Sequence, residues 1–287
     1  MITSKTKVVG IIGDPVEHSL SPLMHNAAFR HLGLDYIYVP FQVDENNLES
    51  AIAGAKSLNV KGLNVTIPHK TKIIPYLDSL DEAAELIGAV NTVKFDKNMI
   101  KGYNTDGIGA VRSIEEVSRV KDKKVIILGS GGAARAVAFQ ILIDGAGSLV
   151  IANRTLQNAI NLQKEIIEKL NADVKITDYG EKLKNELKDA DILINTTPIG
   201  MYPNINQEPL VKAEIMHSNL VVNDLVYNPP KTCLLEECEK ACAKSISGIK
   251  MLIYQGMESF NIWTGVYPPV EIFENALKSY DFKHKKS

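Results

Sequence analysis

The sequence predicts an α/β chain in two parts, an N-terminal α/β domain followed by a doubly wound parallel sheet. Three observations predict it. Short apolar runs alternate with segments of helical period, the pattern of strands joined by crossover helices. One run, Lys124-Val-Ile-Ile-Leu-Gly-Ser-Gly-Gly-Ala-Ala-Arg135, passes from a strand apolar on both faces through three glycines into a helix. The 287 residues, with a formal net charge of −2 and 45% hydrophobic side chains, suffice for two cores and show no nucleic-acid footprint.

No apolar run approaches the roughly 18 residues of a membrane span, and the N-terminus leads straight into a strand, so no membrane association and a cytoplasmic setting are expected. Cys233, Cys238 and Cys242 fall in one predicted helix, with Cys238 and Cys242 on a shared face. With no histidine or fourth cysteine nearby, they read as reduced thiols in or near the core, and no metal is expected. The basic tail Phe282-Lys-His-Lys-Lys-Ser287 reads as a solvated end.

Lys7 to Gly13 is an apolar strand, and Asp14-Pro-Val-Glu-His-Ser-Leu-Ser21 leaves its carboxyl-terminal end, where ligands of open α/β sheets collect. Ser21 and Pro22 read as N-cap and first residue of a helix that Gly33 stops. Capping therefore explains Ser21, whereas Ser19 lies before the cap and is the better ligand candidate. His18 and His25 lack the carboxylate or cysteine pattern of a metal set. Tyr36 to Val43 reads as the second strand, Leu48 to Leu58 as a helix and Gly62 to Ile67 as the third strand. There Asn64 and Thr66 alternate with Val65 and Ile67, so the polar pair shares a face near the strand's end. Pro68 stops the pairing and Lys70 follows in the turn.

Helical segments are expected from Thr71 to about Gly88, then a hairpin of Ala89 to Phe95 and Met99 to Tyr103 around Asp96 to Asn98. The return strand delivers Asn104-Thr-Asp-Gly107. Asp106 either caps the helix running to Val120 or belongs to a site, and Gly107 and Gly109 leave the first turn of that helix uncovered.

In the glycine-rich run, Gly129 permits a tight turn, Gly131 lets a pyrophosphate approach the backbone, and Ala134 stands where the fingerprint G-x-G-x-x-G/A takes alanine. Ser130, Gly132 and Ala133 complete the turn, and the helix aims its first N–H groups at the anion. Leu149 to Ala152 is the next strand and closes a βαβ unit of the usual length, about 30 residues. A unit for NAD carries Asp or Glu after this strand; here stand Asn153, Arg154 and Thr155. Arg154 suits a 2′-phosphate and Thr155 adds a donor, which favours NADP. The alternative is a solvated arginine before a helix capped by Thr155.

A helix from Leu156 to Leu170 and strands at Ala172 to Ile176, Asp191 to Asn195 and Leu220 to Tyr227 follow. Thr196-Thr-Pro-Ile-Gly-Met201 is a strand-end loop suited to the nicotinamide half, so Thr196 and Met201 join the cofactor candidates. Ser247 and Gly248 close this domain, and helices Met251 to Thr264, with polar Gln255, and Pro269 to Tyr280 return to the first.

With these residues collected, the chain resembles the shikimate dehydrogenase family along nearly its whole length. The resemblance rests on His18-Ser-Leu-Ser-Pro22, Asn64-Val-Thr-Ile-Pro-His-Lys70, Ala89-Val-Asn-Thr92, Asn104-Thr-Asp-Gly107, Gly129-Ser-Gly-Gly-Ala133, Asn153-Arg-Thr155, Tyr227-Asn-Pro229 and Tyr254-Gln-Gly256. It implies a substrate domain over 1–106 completed by C-terminal helices over 250–287, a Rossmann-like NADP domain over 107–249, and a cleft between them. It implies reversible reduction of 3-dehydroshikimate to shikimate by NADPH. Carried over by residue, Ser19 and Ser21 bind the substrate carboxylate, while Asn64, Thr66, Asn91, Asp106 and Gln255 contact its hydroxyls. Lys70 and Asp106 form the catalytic pair, and Tyr227 is a further substrate candidate.

One departure concerns the cofactor. Some NADP-specific members carry a second basic residue soon after the Asn-Arg-Thr segment, and Leu156-Gln-Asn158 supplies none. Two competing readings remain at this stage: a quinate/shikimate dehydrogenase of looser choice, and a non-catalytic NADP-responsive regulator. The expected partner is a small-molecule acid, with no nucleic acid, and the expected assembly is a monomer or homodimer.

Overall fold

A computed structural model describes residues 2–97, 99–278 and 280. The basic tail from Phe282 and Asn98 of the expected hairpin turn lie outside these residues. Among the described residues the chain divides into two compact units, one made of the residues up to Thr105 with those from Gln255 to Tyr280, the other of Asp106–Tyr254.

The first unit holds β1 (Lys7–Gly13), α1 (Ser21–His31), β2 (Tyr36–Gln42), α2 (Leu48–Ser57), β3 (Gly62–Val65), β4 (Ser79–Leu80), α3 (Glu82–Ile87), β5 (Thr92–Asp96) and β6 (Met99–Tyr103). Its sheet runs β2-β1-β3-β5-β6-β4. β1 pairs in parallel with both β2 and β3, whereas β5 is antiparallel to β3 and to β6, as a hairpin requires. One core, including Ile12, Leu48, Ile52, Leu63, Val93 and Phe95, fills one face of the sheet. Full burial of side chains this size stabilises by roughly 1.5–3 kcal/mol each.

Elsewhere in this unit α1 packs on α10 (Val270–Lys278), with His25, Phe29, Tyr38, Phe260 and Phe273 in mutual ring contact. The Trp263 indole donates to the Val93 carbonyl at 3.0 Å. Gly62 makes that possible, because a Cβ there would lie 2.0 Å from the indole nitrogen.

The stretch expected to be helical from Thr71 to Gly88 is instead a 3-10 turn at Ile74–Tyr76, the two-residue β4 and the short α3. Pro75 sits inside the segment, and Ser79 and Leu80 pair with β6 in place of continuing a helix. The third strand ends at Val65, two residues earlier than expected, so Thr66 lies beyond the ladder.

The second unit begins with α4 (Asp106–Glu115), β7 (Lys124–Leu128), α5 (Gly132–Ile143), β8 (Ser148–Ala152), α6 (Leu156–Leu170) and β9 (Val174–Thr177). It continues with α7 (Glu181–Leu187), β10 (Ile192–Asn195), β11 (Val221–Asp224), α8 (Cys233–Lys240) and β12 (Lys244–Ser247). Its sheet order, β12-β11-β10-β7-β8-β9, is parallel throughout, with the strand order reversing at β7 as in doubly wound dinucleotide folds. α9 (Gly248–Thr264) follows β12 directly, and the division between the units falls within it at Tyr254 and Gln255.

The cysteines depart from the expected single helix. Cys238 is buried in α8, but Cys242 lies past its end at φ 55° and is exposed, because α8 stops at Lys240 and the chain turns into β12. Cys233 is half-buried.

Candidate active site

In the first unit, three loops leave the carboxyl-terminal ends of β1, β2 and β3 and are tied to one another by backbone. Asp14 N–H donates to Ile67 O at 3.0 Å, Thr66 N–H to Ile12 O at 3.0 Å and Val43 N–H to Gly13 O at 3.1 Å. Gly13 permits this crowding, since a Cβ there would lie 2.3 Å from Thr66 Cγ2. The expected substrate residues Ser19, Ser21, Asn64, Thr66 and Lys70 all belong to these loops and the adjoining strand and helix ends.

Ser21 is not the cap it was expected to be. α1 starts at Ser21 itself, so Leu20 holds the cap position and no side chain caps it from there. The Ser19 hydroxyl accepts the Ser21 N–H at 3.3 Å, while the buried Ser21 hydroxyl bonds Tyr38.

Tyr38, Asn64, Asn91, Thr92, Thr105 and Ser259 form a buried polar cluster. The Tyr38 hydroxyl donates to Asn64 Oδ1 at 2.8 Å. Asn64 Nδ2 faces Thr92 Oγ1 and Ser259 Oγ, each at 3.0 Å, and Asn91 O at 3.2 Å. Asn91 Nδ2 donates to Thr105 Oγ1 at 2.9 Å, and its Oδ1 accepts Thr105 N–H at 2.8 Å. Ser259 Oγ donates to the Gln255 carbonyl one helical turn back, at 3.0 Å, so the cluster also holds the helix that carries Gln255. A buried amide left unpaired costs about 1–3 kcal/mol, which is why these groups satisfy one another. Sequence reasoning named Asn64, Asn91 and Gln255 but missed Tyr38, Thr92, Thr105 and Ser259. The available signal was Ser259, a hydroxyl four residues after Gln255 on an otherwise apolar helix face.

His25 is buried between aromatic rings, stacked on Tyr38 with centroids 4.5 Å apart. Burial lowers its pKa to about 3, and the same burial raises that of Tyr38.

In the second unit, Asp106 is the first residue of α4 and half-buried, where its charge suits the helix N-terminus. Gly107 and Gly109 are buried, contrary to the expectation of an uncovered turn. A Cβ on Gly107 would meet Ala136 O at 2.7 Å, so this glycine serves the close approach of α4 to α5.

The glycine turn after β7 has a strained half and an open half. Gly129, at φ +107°, leaves no room for a side chain, with Thr196 Oγ1 at 2.6 Å from an added Cβ. Thr196 in turn donates its hydroxyl to Leu128 O at 2.6 Å, which binds the loop after β10 to the turn. At Gly131 and Gly132 an added Cβ would meet nothing within 4 Å, and the cap residue of α5, Gly131, has no side chain to offer its first N–H groups. Ser130 is half-buried beside them, and Ala133 is exposed. Gly131 through Ala133 thus offer backbone donors in open space, the requirement for a pyrophosphate. Arg135, one turn along, pairs with Glu165 and lies over Phe139, so it braces α5.

At the end of β8, Asn153 N–H donates to Thr177 O at 3.1 Å and its side chain donates to Thr155 O at 2.8 Å, shaping a loop from which Arg154 is exposed. Thr155 holds the cap position of α6 without making a side-chain cap bond. These residues fit an NADP 2′-phosphate. Tyr179, whose hydroxyl bonds the Arg154 backbone, is a further neighbour that sequence reasoning missed.

At the ends of β10 and β11, buried Asp224 accepts from Asn195 Nδ2 at 2.9 Å, from Val226 N–H at 3.1 Å and from the Thr232 hydroxyl at 2.5 Å. Burial raises its pKa against these three bonds. The network shapes the loops bearing Thr196 and half-buried Tyr227, whereas Met201 lies farther along its loop, 44% exposed.

Comparison with known proteins places this architecture. Residues 11–93 match the shikimate dehydrogenase substrate binding domain, residues 112–226 the shikimate / quinate 5-dehydrogenase family, and residues 248–278 the shikimate 5′-dehydrogenase C-terminal domain. The chain belongs to the shikimate dehydrogenase family. One member, the shikimate dehydrogenase (NADP(+)) of Methanothermobacter thermautotrophicus, is 54% identical over 278 residues, 97% of this chain and 98% of that protein. A shikimate dehydrogenase crystallised with NADP+ superposes with a TM-score of 0.92 at 54% identity, covering 97% of this chain and 96% of the other. The family member from Listeria monocytogenes, crystallised with shikimate and NAD, gives a TM-score of 0.92 at 39% identity, covering 96% and 98%.

Proposed function

We propose that this chain catalyses the reversible reduction of 3-dehydroshikimate to shikimate with NADPH, in the cytoplasm. The observation that carries the cofactor assignment is the open half of the glycine turn with Arg154 exposed at the end of the next strand. Support for the substrate comes from relatives named for that activity over nearly their whole length. Bound NADPH supplies the hydride. The backbone from Gly129 to Ala133 would hold its pyrophosphate, Asn153, Arg154 and Thr155 its 2′-phosphate end, and Thr196 and Met201 its nicotinamide half.

The protein's own share is recognition, orientation and one proton. Ser19 and Ser21 bind the carboxylate; Asn64, Thr66, Asn91, Asp106 and Gln255 bind hydroxyls, with Tyr227 beside them. A polyhydroxylated acid suits such donors and acceptors, because each one rejects an analogue lacking the matching group. Lys70 and Asp106 act as a coupled pair, with Lys70 donating to the oxygen that gains negative charge in reduction.

The test is oxidation of shikimate and of quinate by the purified protein with NADP, followed at the NADPH absorbance band. Shikimate should turn over and quinate much more slowly. Equal rates would replace this reading with a quinate/shikimate dehydrogenase, and NADP binding without turnover of either would replace it with a regulator.

A further inference from the structure

Lys70 sits in a turn, half-buried, immediately after a residue that is wholly buried. That residue is His69. Its Nε2 lies 2.6 Å from the Val43 carbonyl, at the end of β2. A carbonyl oxygen only accepts, so Nε2 carries the hydrogen. The other ring nitrogen, Nδ1, is buried with no hydrogen-bond partner among the described residues. The imidazole is therefore held by one directed bond.

The backbone around it is pinned on both sides. His69 N–H donates to Thr66 O at 2.9 Å, Ile73 N–H to His69 O at 3.0 Å, and Val90 N–H to the Lys70 carbonyl at 2.7 Å. Any residue at this position could make those backbone bonds. The bond to Val43 is the one that depends on the side chain, and it joins the Lys70 turn to a second loop. Val43 is itself tied to Gly13 at 3.1 Å, and Gly13 packs on Thr66, so the tie closes a ring of contacts through all three strand ends. Asp44, next to Val43, is tied down by accepting from the N–H groups of Asn46 and Asn47.

We propose that His69 is a positioning residue for Lys70, its Nε2–H bond to the Val43 carbonyl setting the backbone from which the lysine reaches the reacting oxygen. This rests on the reading of Lys70 as catalytic. Misplacement of a catalytic group by about 1 Å can cost about 10²-fold in rate. Loss of the tie should therefore lower kcat and leave shikimate binding, measured calorimetrically without cofactor, within about twofold.

The experiment compares His69→Leu, His69→Gln and His69→Asn, alone and combined with Lys70→Ala. Glutamine carries its N–H roughly where Nε2 stands and asparagine roughly where Nδ1 stands. His69→Gln should keep kcat within about threefold of the parent, while His69→Asn and His69→Leu lose about 10–100-fold. In the Lys70→Ala background the same three substitutions should change kcat by less than about twofold, because the group they position is gone. Circular dichroism confirms folding, and if the leucine variant does not fold, the two amide variants carry the comparison. Equal losses with and without Lys70, equal kcat for the glutamine and asparagine variants, or an effect confined to shikimate affinity would each overturn the positioning role. A Lys70→Ala single variant with normal kcat would overturn the catalytic reading of Lys70 and this inference with it, and it is told apart because it needs no change at His69.

Discussion

The two sheets finish differently at their carboxyl-terminal ends. In the first unit the ends are lined by side chains that bond one another: Tyr38, Asn64, Asn91, Thr92, Thr105 and Ser259 are buried and paired. In the second, the main feature is backbone, a glycine turn strained at Gly129 and open at Gly131 and Gly132. A buried amide and hydroxyl cluster presents donors and acceptors in fixed directions and so can discriminate among similar small acids. An open turn of N–H groups takes any pyrophosphate. On the proposed reading, selectivity for the substrate would rest on side chains and affinity for the cofactor's phosphates largely on main chain.

The strongest test of that contrast is Lys70→Ala. A donor used as charge develops should cost about 10²–10⁴ in kcat with little change in KM. Steady-state kinetics on a variant shown to be folded measures this. Retention of most of kcat would mean that the lysine is merely a half-buried turn residue.

On the cofactor side the corresponding change is Gly129→Ala. Its φ of +107° and the 2.6 Å approach of Thr196 Oγ1 to an added Cβ predict a loss of about 2–5 kcal/mol in stability. Gly131→Ala meets no such crowding and should fold normally. Any effect it has should appear in NADP affinity, since the added methyl group would fill part of the open space proposed for the pyrophosphate. Denaturant midpoints for the pair decide this, and equal destabilisation would show that the turn is not divided as described.

How much of this could be read beforehand follows the same division. β7, the glycine turn, α5 and β8 were legible because four apolar residues, three glycines and a helical run follow one another without interruption. β12 was not, since only Ile246 of its four residues is buried, and an edge strand with one buried side chain has no apolar period to detect. α7 went unassigned for the same reason, with only Leu183 and Leu187 buried. Around the substrate loops, Asn64, Asn91 and Gln255 were named from type and position. Their hydrogen-bond partners were not, because Ser259 and Asn64 meet only when strands and helices far apart in the chain are packed. Ser21 was read as the cap because the start of α1 was misplaced by one residue.

A smaller effect separates charge from scaffold on the cofactor side. Arg154→Ala should weaken NADP by roughly 1.5–3 kcal/mol, the scale of a hydrogen bond to a charged group, and NAD much less. Titrating each cofactor against parent and variant measures the difference. A similar loss for both would make Arg154 a loop residue with no part in cofactor choice.

The gentlest test returns to the first unit and to His25, which packs beside the buried cluster. Its pKa in the folded state is lowered from 6.5 to about 3 because burial disfavours the imidazolium. The unfolded chain therefore binds a proton through the window from 6.5 down to about 3 that the folded chain refuses. Stability must then fall as pH falls through that window, by up to about 1.4 kcal/mol per pH unit from this one residue. His25→Phe should remove the slope, because phenylalanine cannot titrate and the site is already lined by Phe29, Phe260 and Phe273, with Tyr38 stacked on the ring. Unfolding by denaturant at pH 7.5 and pH 5 would give the parent a loss of about 2 kcal/mol beyond that of the variant. An identical acid dependence in the two proteins would show that His25 is hydrated or relaxes on protonation, and that the aromatic layer under Tyr38 is looser than its stacking distance implies.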